Sequence, residues 1–152
     1  MELVYSLPDA IFVLTEGARS QRSKVSTDIC MLDGSRMFLR GDLPLPVLGR
    51  VRPYRIGAWV EVSVEDFKKI HSLWDDLGQA AHAPFSGMLA NEIYSCPGSI
   101  GQSLEVRLTG PTSRPDIILV EEDQALCQQQ RNGISEHMAH LYSDRIPSQD
   151  AV

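Results

Sequence analysis

The chain has 152 residues, of which 43% are hydrophobic and 22% are charged, a balance typical of one globular domain. Its formal net charge of −6 at pH 7 disfavours non-specific binding to nucleic acid or to an anionic membrane surface. The apolar runs fall far short of the ~20 residues that a membrane-spanning helix needs, and the N-terminus lacks the basic residues of a signal peptide. We therefore predict a single-domain cytoplasmic protein with no membrane or nucleic-acid partner, and the acidic charge leaves basic partners open.

The N-terminal third is predicted to hold a short helix followed by a β-hairpin. Residues 8–16 suit a helix with Pro8 in its first turn, and the polar stretch 17–27 leads into the hairpin. The hairpin covers residues 28–41, where two strand-like arms flank Asp33-Gly34, a turn dipeptide that needs positive φ.

The middle of the chain carries the clearest strand and helix patterns. Two prolines at alternate positions predict that residues 41–49 are extended but cannot form a regular central strand. Residues 55–62 alternate between apolar and other residues, which predicts a strand. Ser63 then suits the N-cap of a helix over 64–77, whose apolar residues recur at helical spacing until Gly78.

The C-terminal half is predicted to hold three short strands and two helices. The last two strands are separated by a Gly- and Pro-containing turn, which predicts antiparallel pairing. The predicted strands lie within 84–91, 103–109 and 117–120, and the predicted helices lie at 124–131 and 135–143. Together these elements predict an α+β fold: a mainly antiparallel sheet of about four to six strands, with two or three helices packed mostly on one face.

Ten short motifs occur in an order and spacing that resemble the bacterial domain-of-unknown-function 2199 family. They are Asp28-x-Cys30, Asp33-Gly34, Phe38-x-Arg40-Gly41, Leu45-Pro46, Gly57-x-Trp59-Val60, Ser63, Phe67, Gly87-x-Leu89, Arg114-Pro115 and Gln130-Arg131-x-Gly133-Ile134. The resemblance runs from about Thr27 to His140. It implies a family-like core at 27–143, a lead-in at 1–26 and a frayed tail at 144–152. The resemblance implies a fold shared with that family, and it implies no established activity.

Two departures from the family pattern bear on function. In many members of the family that this chain resembles, the N-terminal segment contains Cys-x-x-Cys-Gly followed by His, and these cysteine and histidine residues would suit a small metal site. This chain has no cysteine before Cys30, so the resemblance implies no such site here. Where the family tends to have Asp-His-Pro-Leu, this chain has Asp123-Gln124-Ala125-Leu126, and an amide replaces a histidine that might serve acid-base chemistry.

The candidate ligand-binding residues are Arg40, Arg114, Gln130 and Arg131. Arg40 and Arg114 each adjoin a backbone-constraining residue at a predicted strand end, where a guanidinium could clamp a carboxylate or phosphate. Gln130 and Arg131 could add donors to the same pocket or could cap the end of the sheet. The favoured alternative for the arginines is internal ion pairing, with Asp28, Asp33, Glu121 or Asp123 as partners.

No catalytic residue, metal site or cofactor is predicted. His137 and His140 lie three residues apart, but no third ligand has recognisable spacing. Cys30, Cys96 and Cys127 are far apart and include no Cys-x-x-Cys pair, which predicts free buried thiols.

The sequence leaves three hypotheses for function. The first is a non-catalytic interaction domain that docks a basic protein partner, for example an antidote that neutralises a basic toxin. This hypothesis would be supported if six acidic residues clustered on one side of the protein surface: Asp75, Asp76, Glu92, Glu121, Glu122 and Asp123. The alternative is an enzyme or receptor that gathers Arg40, Arg114 and Arg131 around a small anionic ligand. The third, a homo-oligomeric structural protein, requires an exposed apolar face of the sheet.

Overall fold

A single sheet of seven strands, paired in chain order, forms the centre of the computed structural model, which describes residues 2–145. Within these residues, five α-helices and one 3-10 helix accompany the sheet. The strands are β1 (Ser23–Val25), β2 (Ile29–Leu32), β3 (Arg36–Leu45), β4 (Tyr54–Val62), β5 (Phe85–Leu89), β6 (Ser103–Arg107) and β7 (Asp116–Leu119). The α-helices are α1 (Asp9–Phe12), α2 (Glu16–Arg22), α3 (Val64–Leu73), α4 (Ala125–Asn132) and α5 (Glu136–Ser143), and the 3-10 helix is Gln79–Ala81.

The sheet closes on itself as a barrel of five strands, β3 to β7. Its neighbours in chain order pair antiparallel, and the closing pair, β3 with β7, is parallel. The prediction of an α+β fold with a mainly antiparallel sheet is therefore confirmed. The sheet has seven strands instead of the predicted four to six, and five α-helices accompany it instead of two or three. The sheet is also a closed barrel and not an open sheet with one covered face, because one edge of β3 pairs with β2 in its first half and with β7 beyond it.

Strand β3 corrects the prediction made for residues 41–49. It continues through Pro44 to Leu45, although proline cannot donate to a β-ladder. The Asp42 N–H donates to the Pro115 carbonyl oxygen at 2.9 Å, so alternate amides of this stretch point towards β7. The β3–β7 ladder consists of the register pair Asp42–Asp116, so no β7 residue pairs with β3 at the position where Pro44 lacks its N–H.

Both faces of β4 are buried, for different reasons. The residues that point into the barrel are Ile56, Ala58, Val60 and Val62, as the alternation predicts. On the outer face, Trp59 is also fully buried, because the N-terminal segment covers it. The Tyr5 N–H donates to the Gly57 oxygen at 2.8 Å, and the Trp59 indole N–H donates to the Tyr5 oxygen at 3.0 Å. The lead-in is therefore part of the packed structure.

Local signals in the sequence place most elements well. Asp33 and Gly34 both have positive φ, as the hairpin turn requires, and the Ser63 and Ser135 hydroxyls cap α3 and α5. Helix α3 ends at Leu73, four residues earlier than predicted. The polar stretch 17–27 holds most of α2 and the short strand β1, neither of which was predicted.

The remaining predictions concern burial and the chain ends. Cys30, Cys96 and Cys127 are free and buried, as predicted. Within residues 2–145, every helix is too short or too polar to cross a membrane. Most of the predicted frayed tail, from residue 146 onwards, lies outside the described residues.

Candidate functional site

The four predicted ligand-binding residues lie in two pairs on different parts of the barrel. Arg40 lies on β3 and Arg114 lies just before β7, and their positive charges interact: burial, and then the charge of Arg114, lower the pKa of Arg40. Gln130 and Arg131 lie on α4, beside a separate groove. The structure therefore brings Arg40 and Arg114 together and holds Gln130 and Arg131 apart from them.

The Gln130 side chain bridges the seam between β3 and β7. Its Nε2 donates to the carbonyl oxygens of Pro44 at 3.2 Å and Ile117 at 2.8 Å, and its Oε1 accepts from the Leu119 N–H at 2.8 Å. These backbone groups need side-chain partners because the two strands do not pair beyond Asp42. The Gln130 amide is thus engaged with the backbone of both strands.

Arg131 lies at the rim of an apolar groove of about 520 Å³. Prolines form much of its wall, at Pro44, Pro46 and Pro53. The Arg131 Nη1 donates to Glu122 Oε1 at 2.7 Å, and both side chains are exposed. Arg131 therefore has a carboxylate partner and does not share a pocket with Arg114.

A second, polar cavity of about 440 Å³ lies where the loop between β6 and β7 meets the end of α3. We call it the Trp74 cavity; its walls are Asp28, Asp42, Trp74, Gln79 and the loop 110–115. It contains two carboxylates and one guanidinium, that of Arg114. The Asp28 Oδ1 accepts from Arg114 Nε at 2.9 Å, the kind of internal ion pair that the sequence favours for this arginine.

Gln79 fixes the shape of the Trp74 cavity. This buried side chain donates from Nε2 to the carbonyl oxygens of Leu73 at 2.8 Å and Trp74 at 2.9 Å. Its Oε1 accepts from the Gly110 N–H at 3.3 Å. The end of α3, which carries Trp74, is therefore tied to the loop before β7.

Asp42 is the under-paired acid of the Trp74 cavity. Within the described residues its carboxylate accepts no hydrogen bond, and its nearest cation, Arg55 Nη1, is 3.8 Å away. That Arg55 nitrogen lies closer to Asp116, at 3.1 Å. Burial raises the pKa of Asp42 despite the arginines around it. This half-buried carboxylate is suited to an additional cationic partner.

Arg40 is the under-paired cation on the same strand as Asp42, although it is not itself a wall of the cavity. Among residues 2–145, no carboxylate oxygen lies within 4.0 Å of its guanidinium and no group accepts a hydrogen bond from it; its Nε is buried without a partner. Its Nη2 lies close to Gly57 on β4, about 3.5 Å from where a Cβ would stand. Arg40 and Asp42 share the outer face of β3. They are two residues apart, so their Cα atoms are separated by about 7 Å.

A comparison with known protein families identifies the family of the chain. A family model described as "Uncharacterized protein conserved in bacteria (DUF2199)" matches residues 2–134. The chain belongs to this bacterial family. The family model matches from residue 2, whereas the motifs recognised in the sequence begin only at about Thr27. The match therefore includes the N-terminal segment that covers Trp59 in this DUF2199 chain. No curated protein and no solved structure matches it.

Sequence reasoning missed two walls of the cavity in this DUF2199 chain. Asp42 lies two residues after Arg40, so strand alternation alone would have placed both on one face. Trp74 follows the helical spacing of packing residues and does pack partly against the core, but as the residue that ends α3 it also lines the cavity. Gln79 connects the Trp74 backbone to Gly110, and no local pattern predicts that connection.

Metal ligands and reactive thiols are not gathered in the described part of the DUF2199 chain. Between residues 2 and 145, no three His, Cys, Asp or Glu side chains are arranged to hold a metal ion. Burial raises the pKa of Cys30 to about 11, so this thiol is protonated at neutral pH.

The acidic residues considered for a docking surface do not form one cluster. Asp75 and Asp76 follow α3, close to the loop before β7, whereas residues 121–123 follow β7 at the opposite end of the β6–β7 hairpin. Glu121 accepts from the Ser103 N–H, and Glu122 pairs with Arg131. Their spread gives a broad acidic docking surface no support.

Glu92, a further acid of that set, organises its own loop. Its carboxylate accepts from the N–H groups of Gly98 and Ile100 at 2.9 and 2.8 Å, and from the Ser99 hydroxyl at 3.0 Å. Burial acts to raise the pKa of Glu92, but these hydrogen bonds outweigh it, and the pKa is lowered.

We expect Glu92→Gln to lower the free energy of unfolding by about 1 kcal/mol at pH 7, a value reduced by solvent exposure of the site. A carboxyl with a lowered folded-state pKa stabilises the fold above its unfolded pKa, and this stability is lost as pH falls through the folded pKa. Urea unfolding at pH 7 and at about pH 3 should therefore show the difference closing in acid. A difference of equal size at both pH values would contradict a charge effect.

Proposed function

We propose that this DUF2199 chain is a non-catalytic binding domain that docks a basic protein partner, and that the Trp74 cavity accepts a lysine or arginine side chain of that partner. The observation that carries the proposal is Asp42, a half-buried carboxylate that lines a cavity and has no hydrogen bond within the described residues. Such a group is costly in the free protein and is stabilised by a cation placed beside it.

The other walls of the cavity suit the same guest. Trp74 offers an aromatic face, on which a guanidinium or ammonium group is attracted to the ring quadrupole. Asp28 adds a second carboxylate, although it already pairs with Arg114. The net charge of −6 would speed the approach of a basic partner over longer distances, and a basic toxin is one partner of this kind.

Arg40 favours a second candidate function, a receptor for a small anionic ligand. Its guanidinium has no carboxylate within 4.0 Å among the described residues, and Arg114 adds a second positive charge nearby. Asp28 and Asp42 lie near Arg40 and disfavour a ligand that carries negative charge alone. Only two of the three arginines considered for such a pocket lie together, so this candidate has less support than a cationic guest.

The first experiment follows the indole signals of the two tryptophans by ¹⁵N NMR. The probe is the blocked peptide acetyl-Gly-Arg-amide, which carries a cation and no carboxylate. We expect the indole signal of Trp74 to shift in a saturable way, while that of the buried Trp59 stays in place. Asp42→Asn should weaken binding about fivefold or more, a factor equivalent to about 1 kcal/mol.

Asp123→Asn is the matched control, because it makes the same change of charge at an exposed site outside the cavity. It should leave the peptide affinity unchanged. A Trp74 signal that does not move, or equal weakening by both substitutions, would overturn the proposed function.

A further inference from the structure

The outer face of β3 presents two under-paired charges of opposite sign. Asp42 lines the Trp74 cavity, and Arg40 lies two residues before it on the same face. In a strand this spacing separates their backbones by about 7 Å. The two groups lie farther apart than an ion-pair distance, so each keeps capacity for an external partner.

The neighbouring ion pairs explain why these two charges remain unmatched. Arg114 holds Asp28 through a 2.9 Å hydrogen bond, and Arg55 holds Asp116 at 3.1 Å. Three arginines and three aspartates make up this group of charges, and once the two ion pairs are set aside, Arg40 and Asp42 remain. These charges balance overall, but Arg40 has no ion pair within the described residues and Asp42 has only the long contact of 3.8 Å with Arg55.

Arg40 is built into this position by the backbone around it. Its own N–H donates to the Asp28 oxygen at 2.9 Å, which fixes the strand, and the opposite residue on β4, Trp59, is held by the N-terminal segment. One end of the guanidinium, Nη2, lies over Gly57 of β4, about 3.5 Å from where a Cβ would stand. The backbone of Arg40 is therefore fixed, while its guanidinium has no hydrogen-bond acceptor within the described residues and can still bind a bidentate acceptor.

We infer that the guest of the Trp74 cavity carries a carboxylate as well as a cation, and that Arg40 binds this carboxylate while Asp42 binds the cation. The inference rests on the proposed function and names the chemical class of its ligand. The Cα atoms of Arg40 and Asp42 lie about 7 Å apart along the strand, a spacing that a cation and a carboxylate carried by the same residue or by neighbouring residues of one peptide can span. That carboxylate could be a free chain terminus or an acidic side chain.

Three peptides test the inference and separate the two sources of the carboxylate. Acetyl-Gly-Arg-amide carries the cation alone, acetyl-Gly-Arg with a free carboxyl adds the terminal carboxylate, and acetyl-Gly-Arg-Asp-amide adds an acidic side chain. We expect at least one of the two carboxylate peptides to bind about tenfold more tightly than the amide. Affinities come from saturation of the Trp74 indole shift.

Arg40→Gln should abolish that tenfold advantage without weakening binding of the amide peptide, because loss of a nearby positive charge does not disfavour a cationic guest. The substitution is expected to fold, because the Arg40 guanidinium has no hydrogen bond within the described residues, and Arg40→Lys provides a second variant that keeps the charge. Arg52→Gln, at an exposed arginine outside the cavity, is the matched control and should keep the advantage.

The outcomes distinguish this inference from the proposed function. Equal affinity for all three peptides, or an advantage that survives Arg40→Gln, would overturn the role of Arg40 while leaving the cation site intact. Failure of every peptide to move the Trp74 signal would overturn both. An advantage for the free terminus alone identifies a chain end as the ligand, and an advantage for the aspartate peptide alone identifies an internal segment.

Discussion

Replacing Gln130 with alanine is expected to lower the free energy of unfolding by about 3 kcal/mol, one of the two largest effects that this structure predicts. The substitution removes three hydrogen bonds to the backbone of Pro44, Ile117 and Leu119. These partners lie at the seam of the barrel, where strand pairing has ended, and Ile117 and Leu119 are buried there. Each unsatisfied backbone group therefore carries a desolvation cost. Urea unfolding, followed by far-ultraviolet circular dichroism, measures the change.

Two further substitutions test whether the hydrogen bonds cause the loss. Gln128→Ala makes the same change on the exposed side of α4 and should alter stability by less than about 0.5 kcal/mol. Gln130→Glu keeps the shape but places carboxylate oxygens against the carbonyls of Pro44 and Ile117, so it should destabilise at least as much as alanine. A stable Gln130→Ala protein would show that another contact closes the barrel.

The elements that the sequence predicts well are those with purely local causes. The alternation of β4, the Asp33-Gly34 turn and the Ser63 cap each depend on residues within a few positions of one another. Strand β1 lacks such a signal, because its Ser-Lys-Val sequence is polar and forms a strand only through pairing with β2.

Barrel closure is the feature that local patterns could not predict. It depends on one long-range pair, Asp42 with Asp116, and on Gln130, which lies on a helix remote in sequence from β3. Gln130 was selected as a possible ligand-binding residue because of its position before a helix stop. Its three backbone contacts are side-chain contacts to strand edges, and no spacing rule in the sequence anticipates them.

The candidate site was predicted in part. Arg40 and Arg114 were selected for their positions at strand ends, and the structure brings them together. The two arginines differ in their partners: Arg114 pairs with Asp28, while Arg40 has no carboxylate partner within the described residues. The sequence contains both arginines in equivalent contexts, so only the fold distinguishes the paired one from the unpaired one.

Replacing Gly41 with alanine is the second substitution with a large expected effect, a loss of about 2 to 3 kcal/mol of unfolding free energy. Gly41 lies on the inner face of β3, and a Cβ there would lie 2.9 Å from Ile117 Cγ1 and 3.0 Å from the Pro115 oxygen. Ile117 is fully buried, and the Pro115 oxygen accepts the closing hydrogen bond from Asp42. The added methyl group therefore forces β7 away from β3. Denaturant unfolding measures the loss.

A double-mutant cycle identifies the cause of that loss. Ile117→Ala removes the side-chain atoms that the new Cβ would meet, so Gly41→Ala should cost less in that background, with a coupling of about 1 kcal/mol or more. Gly17→Ala is the contrasting control: no atom lies within 4 Å of a Cβ there, and alanine in α2 should stabilise by up to about 1 kcal/mol. Additive losses at positions 41 and 117 would contradict the contact between a Cβ at position 41 and the Ile117 side chain as the cause of the destabilisation.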